Sequence, residues 1–203
     1  MPDKKYSYLA LGDSYTIGEG VAPEENYPNQ AIRILNKTAL RFEHPKIIAK
    51  TGWTTDELEE GISDAGLKGN FDFVSLLIGV NNQYRGRSID EYAVEFEKLL
   101  ILAIQFAGKK ADHVFVISIP DWGITPFAAE KHPELITKEI DNFNATNKKI
   151  ADKYKVSYIE ITTGSREAVN DGTLITSDGL HPSGKEYAKW AMKLADAISE
   201  KIQ

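Results

Sequence analysis

The sequence predicts an α/β protein, a doubly wound parallel sheet with helices on both faces. Three observations lead there. Apolar runs of strand length alternate with amphipathic stretches of helical spacing along the 203 residues. Nearly every run stops at a glycine or a Gly-containing polar turn, where a strand hands over to a helix. Residues 71–78 (Phe-Asp-Phe-Val-Ser-Leu-Leu-Ile) are aromatic and branched with one charge, the composition of a strand covered on both faces. Five such runs give a three-layer α/β/α sandwich around a five-stranded parallel sheet.

The first strand, 6–11, runs into Gly12-Asp13-Ser14-Tyr15-Thr16-Ile17-Gly18-Glu19-Gly20, a turn that presents a hydroxyl. A helix over 26–37 places Ala31, Ile32, Ile34 and Leu35 inward and tolerates Pro28 in its first turn. The second strand, 46–50, ends at Thr51-Gly52-Trp53, and Thr54 or Thr55 caps a helix to about Gly61. The central strand, 71–78, breaks at Gly79-Val80-Asn81-Asn82. Ser88-Ile89-Asp90-Glu91 then reads as a capping box, followed by Tyr92, Phe96, Leu99, Leu100, Ala103, Ile104 and Ala107 at helical spacing up to Gly108. A fourth strand, 114–119, stops at Pro120-Asp121-Trp122-Gly123. A helix over 134–154 leads to the fifth strand, 156–161. A polar stretch, 162–179, precedes a last helix from Pro182 to about Ile202.

A formal net charge of -6 without a basic stripe argues against a nucleic-acid partner. The absence of cysteine removes disulfides, thiolate zinc sites and thiol catalysis together. Four scattered histidines without His-Glu-x-x-His leave no metal site, and no cofactor is expected. No apolar run reaches membrane-spanning or signal-peptide length. The expectation is a single domain, 1–203, soluble, a monomer or weak homo-oligomer. It is cytoplasmic as written, and periplasmic or secreted if a leader was removed.

In a doubly wound sheet, ligands bind beyond the carboxyl ends of the strands. Ser14, Gly52 and Asn81 follow the first three strands and so share one rim. A hydroxyl nucleophile needs an imidazole to take its proton and a carboxylate to orient that imidazole. His44 and His132 precede prolines in loops, and His113 opens a strand at the opposite rim. Only His181, in Ser177-Asp178-Gly179-Leu180-His181-Pro182, lies at the right end of the sheet. Asp178, three residues earlier, can face its Nδ1 across a tight Gly-containing turn. Backbone N–H groups of Ser14 and Gly52 and the Asn81 amide supply donors for an oxyanion. Asp13 reads as a loop brace. Tyr15, Trp53, Val80, Tyr84, Arg85 and Trp122, with Phe127 and Ile124, fall in or near rim loops as candidate substrate contacts, and Arg85 and Arg87 suit an anionic head group or sugar.

This ordered set, Gly-Asp-Ser near the start, Gly after strand two, Gly-x-Asn-Asn after strand three and Asp-x-x-His-Pro before the last helix, resembles the SGNH or GDSL hydrolase superfamily over nearly the whole chain. Ser14, Gly52, Asn81 and His181 match its four block residues, and Asp178 completes the triad. The resemblance implies the flavodoxin-like SGNH hydrolase fold. It also implies a serine ester hydrolase acting through an acyl-enzyme on a small ester, acetylated carbohydrate, lysolipid or thioester. Two departures stand out: Tyr15 where Leu follows Gly-Asp-Ser, and Asn82 where Asp is commoner. A non-catalytic flavodoxin-like module, cradling phosphate or flavin with the Asp13–Gly20 turn, is the rival reading.

Overall fold

The computed structural model describes residues 4–202. Five parallel strands, β1 (Tyr8–Gly12), β2 (Lys46–Ala49), β3 (Phe73–Leu77), β4 (Val114–Ile117) and β5 (Ser157–Ile159), stand in the order β2-β1-β3-β4-β5. The register pairs Leu11 with Ile48 on one side and with Leu76 on the other. β1, β3 and β4 are buried along their whole length, as strands covered on both faces must be, whereas β2 and β5 form the half-buried edges. The winding direction reverses between β1 and β3, which opens a crevice at their carboxyl ends.

Each connection carries a helix. After β1 come α1 (Ser14–Ile17) and α2 (Tyr27–Leu35), after β2 α3 (Thr55–Asp64), after β3 α4 (Val80–Tyr84) and α5 (Ile89–Phe106). After β4 comes α6 (Pro133–Lys153), and after β5 α7 (Thr162–Ser165) and α8 (Gly184–Ile202). α2 packs on α8 on one face, and α5 packs between α3 and α6 on the other. The Asn26 side chain accepts from the Asn29 N–H to cap α2, whose Pro28 sits in the first turn where no donor is needed. Ser88 caps α5 through the Glu91 N–H, one half of the expected box. No helix among the described residues is long and apolar enough to cross a membrane.

Several expectations need correction. The strands are shorter than the apolar runs, because Ile78, Ile119 and Ile161 are buried beyond the last ladder pair. The first turn and the Gly79 break are themselves short helices, α1 and α4. The polar stretch 162–179 contains α7 and two turns of 3-10 helix. The last helix starts at Gly184, not Pro182: Pro182 forms an antiparallel bridge with Ile175, flanked by bonds from the Thr176 N–H to the His181 carbonyl and from the Ser183 N–H to the Leu174 carbonyl, both 2.8 Å. α3 runs through Gly61 to Asp64, with the indole of Trp53 packed in the space a side chain on that glycine would fill.

A Cβ on Gly61 would come within 2.1 Å of Cη2 of Trp53. Gly61→Ala, which in an exposed helix adds up to about 1 kcal/mol of stability, is therefore expected to cost roughly 1–3 kcal/mol by overpacking, read from urea midpoints at unchanged m-value.

Candidate active site

Ser14 is the first residue of α1, raised into the crevice because the helix begins directly after β1. Gly12 permits this, since a Cβ there would lie 2.1 Å from the Thr16 hydroxyl and 2.5 Å from the Leu77 carbonyl. Asp13 caps α1 by accepting the Tyr15 N–H at 3.0 Å, and Gly18 closes it in the left-handed region. The N–H of Ser14 is a helix-start donor, bonded to no protein acceptor among the described residues.

The opposite arm is the loop that the Ile175–Pro182 bridge pinches closed. Asp178 Oδ1 accepts the N–H groups of Leu180 (2.8 Å) and His181 (2.9 Å) and the Thr176 hydroxyl (2.7 Å), so the loop folds around one carboxylate. Its Oδ2 meets His181 Nδ1 at 2.6 Å, and His181 Nε2 stands 3.1 Å from Ser14 Oγ. Partial burial pushes the Asp178 carboxyl up. The bonds from the His181 ring, the His181 and Leu180 N–H groups and the Thr176 hydroxyl outweigh it and hold the carboxyl far below the usual carboxylate range. Tyr15 makes T-shaped contacts with both the His181 ring (5.8 Å between centroids) and Trp190 of α8 (6.3 Å). In this arrangement the imidazole can draw the proton from the Ser14 hydroxyl while the carboxylate keeps its other nitrogen protonated.

Two further loops complete the rim. Gly52 has φ of +84°, and its N–H has no protein acceptor among the described residues. Asn81, in the first turn of α4, donates one amide hydrogen to the Trp53 carbonyl at 2.9 Å and retains a second. Asn82, fully buried, accepts the Thr55 N–H (3.1 Å) and donates to the Thr55 hydroxyl (2.6 Å), which in turn donates to Glu95.

These loops surround a cavity of about 200 Å³. Ser14, Gly52, Asn81 and His181 form its polar end. Tyr15, Val80, Tyr84 and Trp122 line it as expected from sequence, together with Phe127. Thr51 and Leu180 also line it and were not foreseen, although both adjoin residues that were. Trp122 is fixed by its indole N–H on Gln83 Oε1 at 2.7 Å, and Gln83 by Glu139 at 2.7 Å. Two expected liners lie elsewhere: the Trp53 ring covers Gly61, and the Arg85 guanidinium binds the Gly52 carbonyl and Glu57. Arg87 pairs with Asp56 at 2.7 Å. His113 bonds the Asp72 carbonyl and stacks on Phe73 at the far rim. Among the described residues no group of three His, Asp or Glu side chains is placed to hold a metal ion.

A doubly wound sheet with a serine, histidine and aspartate meeting at its switch point defines the protein as a serine hydrolase of the three-layer α/β class. More narrowly, the chain belongs to the GDSL-like Lipase/Acylhydrolase family, whose pattern it matches over residues 10–189, and it is a carboxylic ester hydrolase. Solved structures with the same fold include a lipolytic protein of the G-D-S-L family from Veillonella parvula (17% identity, 97% of this chain and 99% of that one, TM-score 0.70). An acetylxylan esterase from Geobacillus stearothermophilus (18%, 98% and 96%, 0.71) and a psychrotrophic esterase from Pseudoalteromonas sp. (14%, 97% and 98%, 0.72) share it too. No curated protein matches the sequence. No observation favours the flavin- or phosphate-binding module.

Complete burial pushes the Asp13 carboxyl up to about 7, against the bond from the Tyr15 N–H, and its Oδ2 has no partner among the described residues. A carboxyl whose pKa is raised on folding stabilises the fold below its unfolded value and loses that contribution as pH climbs through the folded value. The urea midpoint is therefore expected to fall between about pH 4 and pH 7, and Asp13→Asn to flatten that limb. Asp178 acts in the opposite sense: its contribution disappears as pH falls below the ordinary carboxylate range, so Asp178→Asn is expected to flatten the acid limb instead.

Proposed function

We propose that this chain hydrolyses short-acyl esters through an acyl-enzyme on Ser14, with His181 as general base and acid and Asp178 as its orienter. The observation that carries the reading is the continuous hydrogen-bonded line from Asp178 Oδ2 through the His181 ring to Ser14 Oγ, at 2.6 and 3.1 Å. His181 Nε2 takes the hydroxyl proton as Oγ attacks the ester carbonyl. The N–H groups of Ser14 and Gly52 and the free amide hydrogen of Asn81 receive the developing oxyanion. His181 then delivers its proton to the leaving alcohol and activates the water that releases the acid. Asp178, held far below the usual carboxylate range, stays ionised throughout and fixes Nδ1 as the protonated nitrogen.

The substrate class follows from the cavity. About 200 Å³ lies below the roughly 300–1,000 Å³ of drug-sized ligand sites and suits a short acyl group. Val80, Tyr84 and Trp122 make its apolar wall and Tyr15 backs the imidazole, so we read these four as the substrate-contacting set. The chain is read as one hydrolase domain working as a monomer or weak homo-oligomer.

Ser14→Ala and His181→Ala are each expected to lower kcat on p-nitrophenyl acetate by on the order of 10⁶, and Asp178→Asn by roughly 10⁴, with far-ultraviolet circular dichroism unchanged. Wild-type turnover retained by Ser14→Ala or His181→Ala would overturn the assignment. Across p-nitrophenyl esters from acetyl to palmitoyl, kcat/KM is expected to be highest at the short end, and Trp122→Ala to shift the optimum to longer chains. A palmitoyl optimum in the unmodified protein would overturn the acyl-length reading.

A further inference from the structure

The turn that carries the Gly52 N–H is held from behind. Its ends are joined by a bond from the Trp53 N–H to the Lys50 carbonyl at 3.3 Å, and φ of +84° at Gly52 is that of the third residue of a type II turn. The peptide between Thr51 and Gly52 is the one that inverts when a type II turn becomes type I, and inversion would swing the Gly52 N–H away from the cavity. A donor aimed at an oxyanion must not have that freedom, because its value lies in preorganisation.

Two contacts restrain the residues on either side of that peptide. On the near side, the Thr51 hydroxyl donates to the Glu19 carboxylate. On the far side, Arg85 Nη2 donates to the Gly52 carbonyl at 2.6 Å while Nη1 reaches Glu57 at 3.2 Å. Glu57 is itself fixed at the start of α3, accepting the Thr54 N–H at 2.9 Å and the Thr54 hydroxyl at 3.0 Å. Arg85 follows directly on α4 and donates its own N–H to the Asn81 carbonyl at 3.0 Å. Asn81 donates in turn to the Trp53 carbonyl. Two consecutive carbonyls of the turn, those of Gly52 and Trp53, are thus gripped from the same short helix.

We propose that Arg85 is a positioning residue for the oxyanion hole: its guanidinium seats the Gly52 turn against α4, so that the Gly52 N–H and the Asn81 amide converge on one point. This inference rests on the assignment of Gly52 as an oxyanion donor. A charged donor on a carbonyl makes a bond roughly twice as strong as a neutral one, and a planar fork holds Gly52 and Glu57 through two N–H groups of fixed relative geometry. The guanidinium is committed to these two partners and does not line the cavity. That separates this role from binding an anionic head group.

The test compares Arg85→Ala and Arg85→Met, the second keeping the apolar stem should the first not fold. Acetyl esters with neutral and with anionic leaving groups are the substrates, and rates are expressed per Ser14 labelled by a fluorophosphonate. Complete loss of an oxyanion donor costs about 10²–10³ in kcat, so a loosened one is expected to cost about 10- to 100-fold, with KM within about twofold and the same factor for both leaving groups. Added guanidinium is expected to restore part of the rate to Arg85→Ala. Unchanged kcat per labelled site, or a rise in KM confined to the anionic esters, would overturn the positioning role while leaving Ser14 as nucleophile. Failure of Ser14 to label in the unmodified protein would overturn the underlying assignment instead, and this inference with it.

Discussion

Two hydrogen bonds between buried Asn82 and Thr55 hold together the loops on which the site is assembled. The loop after β2 brings Gly52, the loop after β3 brings Asn81, and neither has a regular ladder to keep it in place. An amide suits the junction because it accepts from one group and donates to another. Here it takes the Thr55 N–H and gives to the Thr55 hydroxyl, leaving that hydroxyl's own proton for Glu95. A carboxylate at position 82 would compete with Glu95 for the same proton. With Asn82 the charge sits on Glu95 instead, 3.9 Å from Arg87, which also holds Asp56 at the start of α3. The departure from the commoner Gly-x-Asn-Asp pattern thus leaves the fully buried position 82 uncharged, with the neighbouring carboxylate within reach of a cation.

Beneath Ser14, the core is not wholly apolar. The hydroxyls of Tyr8 and Tyr27 both meet Ser75 in the middle of β3, at 2.6 and 3.4 Å, and Tyr27 continues to Thr16 in α1 at 3.3 Å. Buried hydroxyls must find partners, and a single thread satisfies these four. It also ties α1 to the centre of the sheet from below while Asp13 caps it from its start, so the Ser14 backbone is braced from two directions.

Much of this was legible in the residues. The strand–helix alternation follows from period and punctuation, and α5 from a strong apolar repeat with a serine cap. The meeting of Ser14, Asp178 and His181 was readable because strand ends define a rim and only one histidine lies on it. What escaped was set by contacts distant in sequence. Gly61 reads as a helix stop until Trp53 covers it, and Pro182 as a helix start until Ile175 pairs beside it. α4 is too short for periodicity to register. Trp53 and Arg85 sit on rim loops, but loop position does not dictate where a long side chain turns. Trp53 turns to cover Gly61, and Arg85 reaches along the surface to the Gly52 carbonyl.

The loop closed by the Ile175–Pro182 bridge carries Asp178 and His181 three residues apart, with Asp178 Oδ1 gathering the loop's own N–H groups. Where these two groups come from separate strands, each must be aligned independently with the nucleophile. Here they travel as one cassette. A displacement of the loop changes the distance from His181 to Ser14 while the distance from His181 to Asp178 stays set by local geometry, so alignment reduces to a single coordinate. Tyr15 packs between the imidazole and Trp190 of α8. A cassette of this kind tolerates drift in the strands far below it, because the sheet has only to deliver one hydroxyl to a pair that is already assembled.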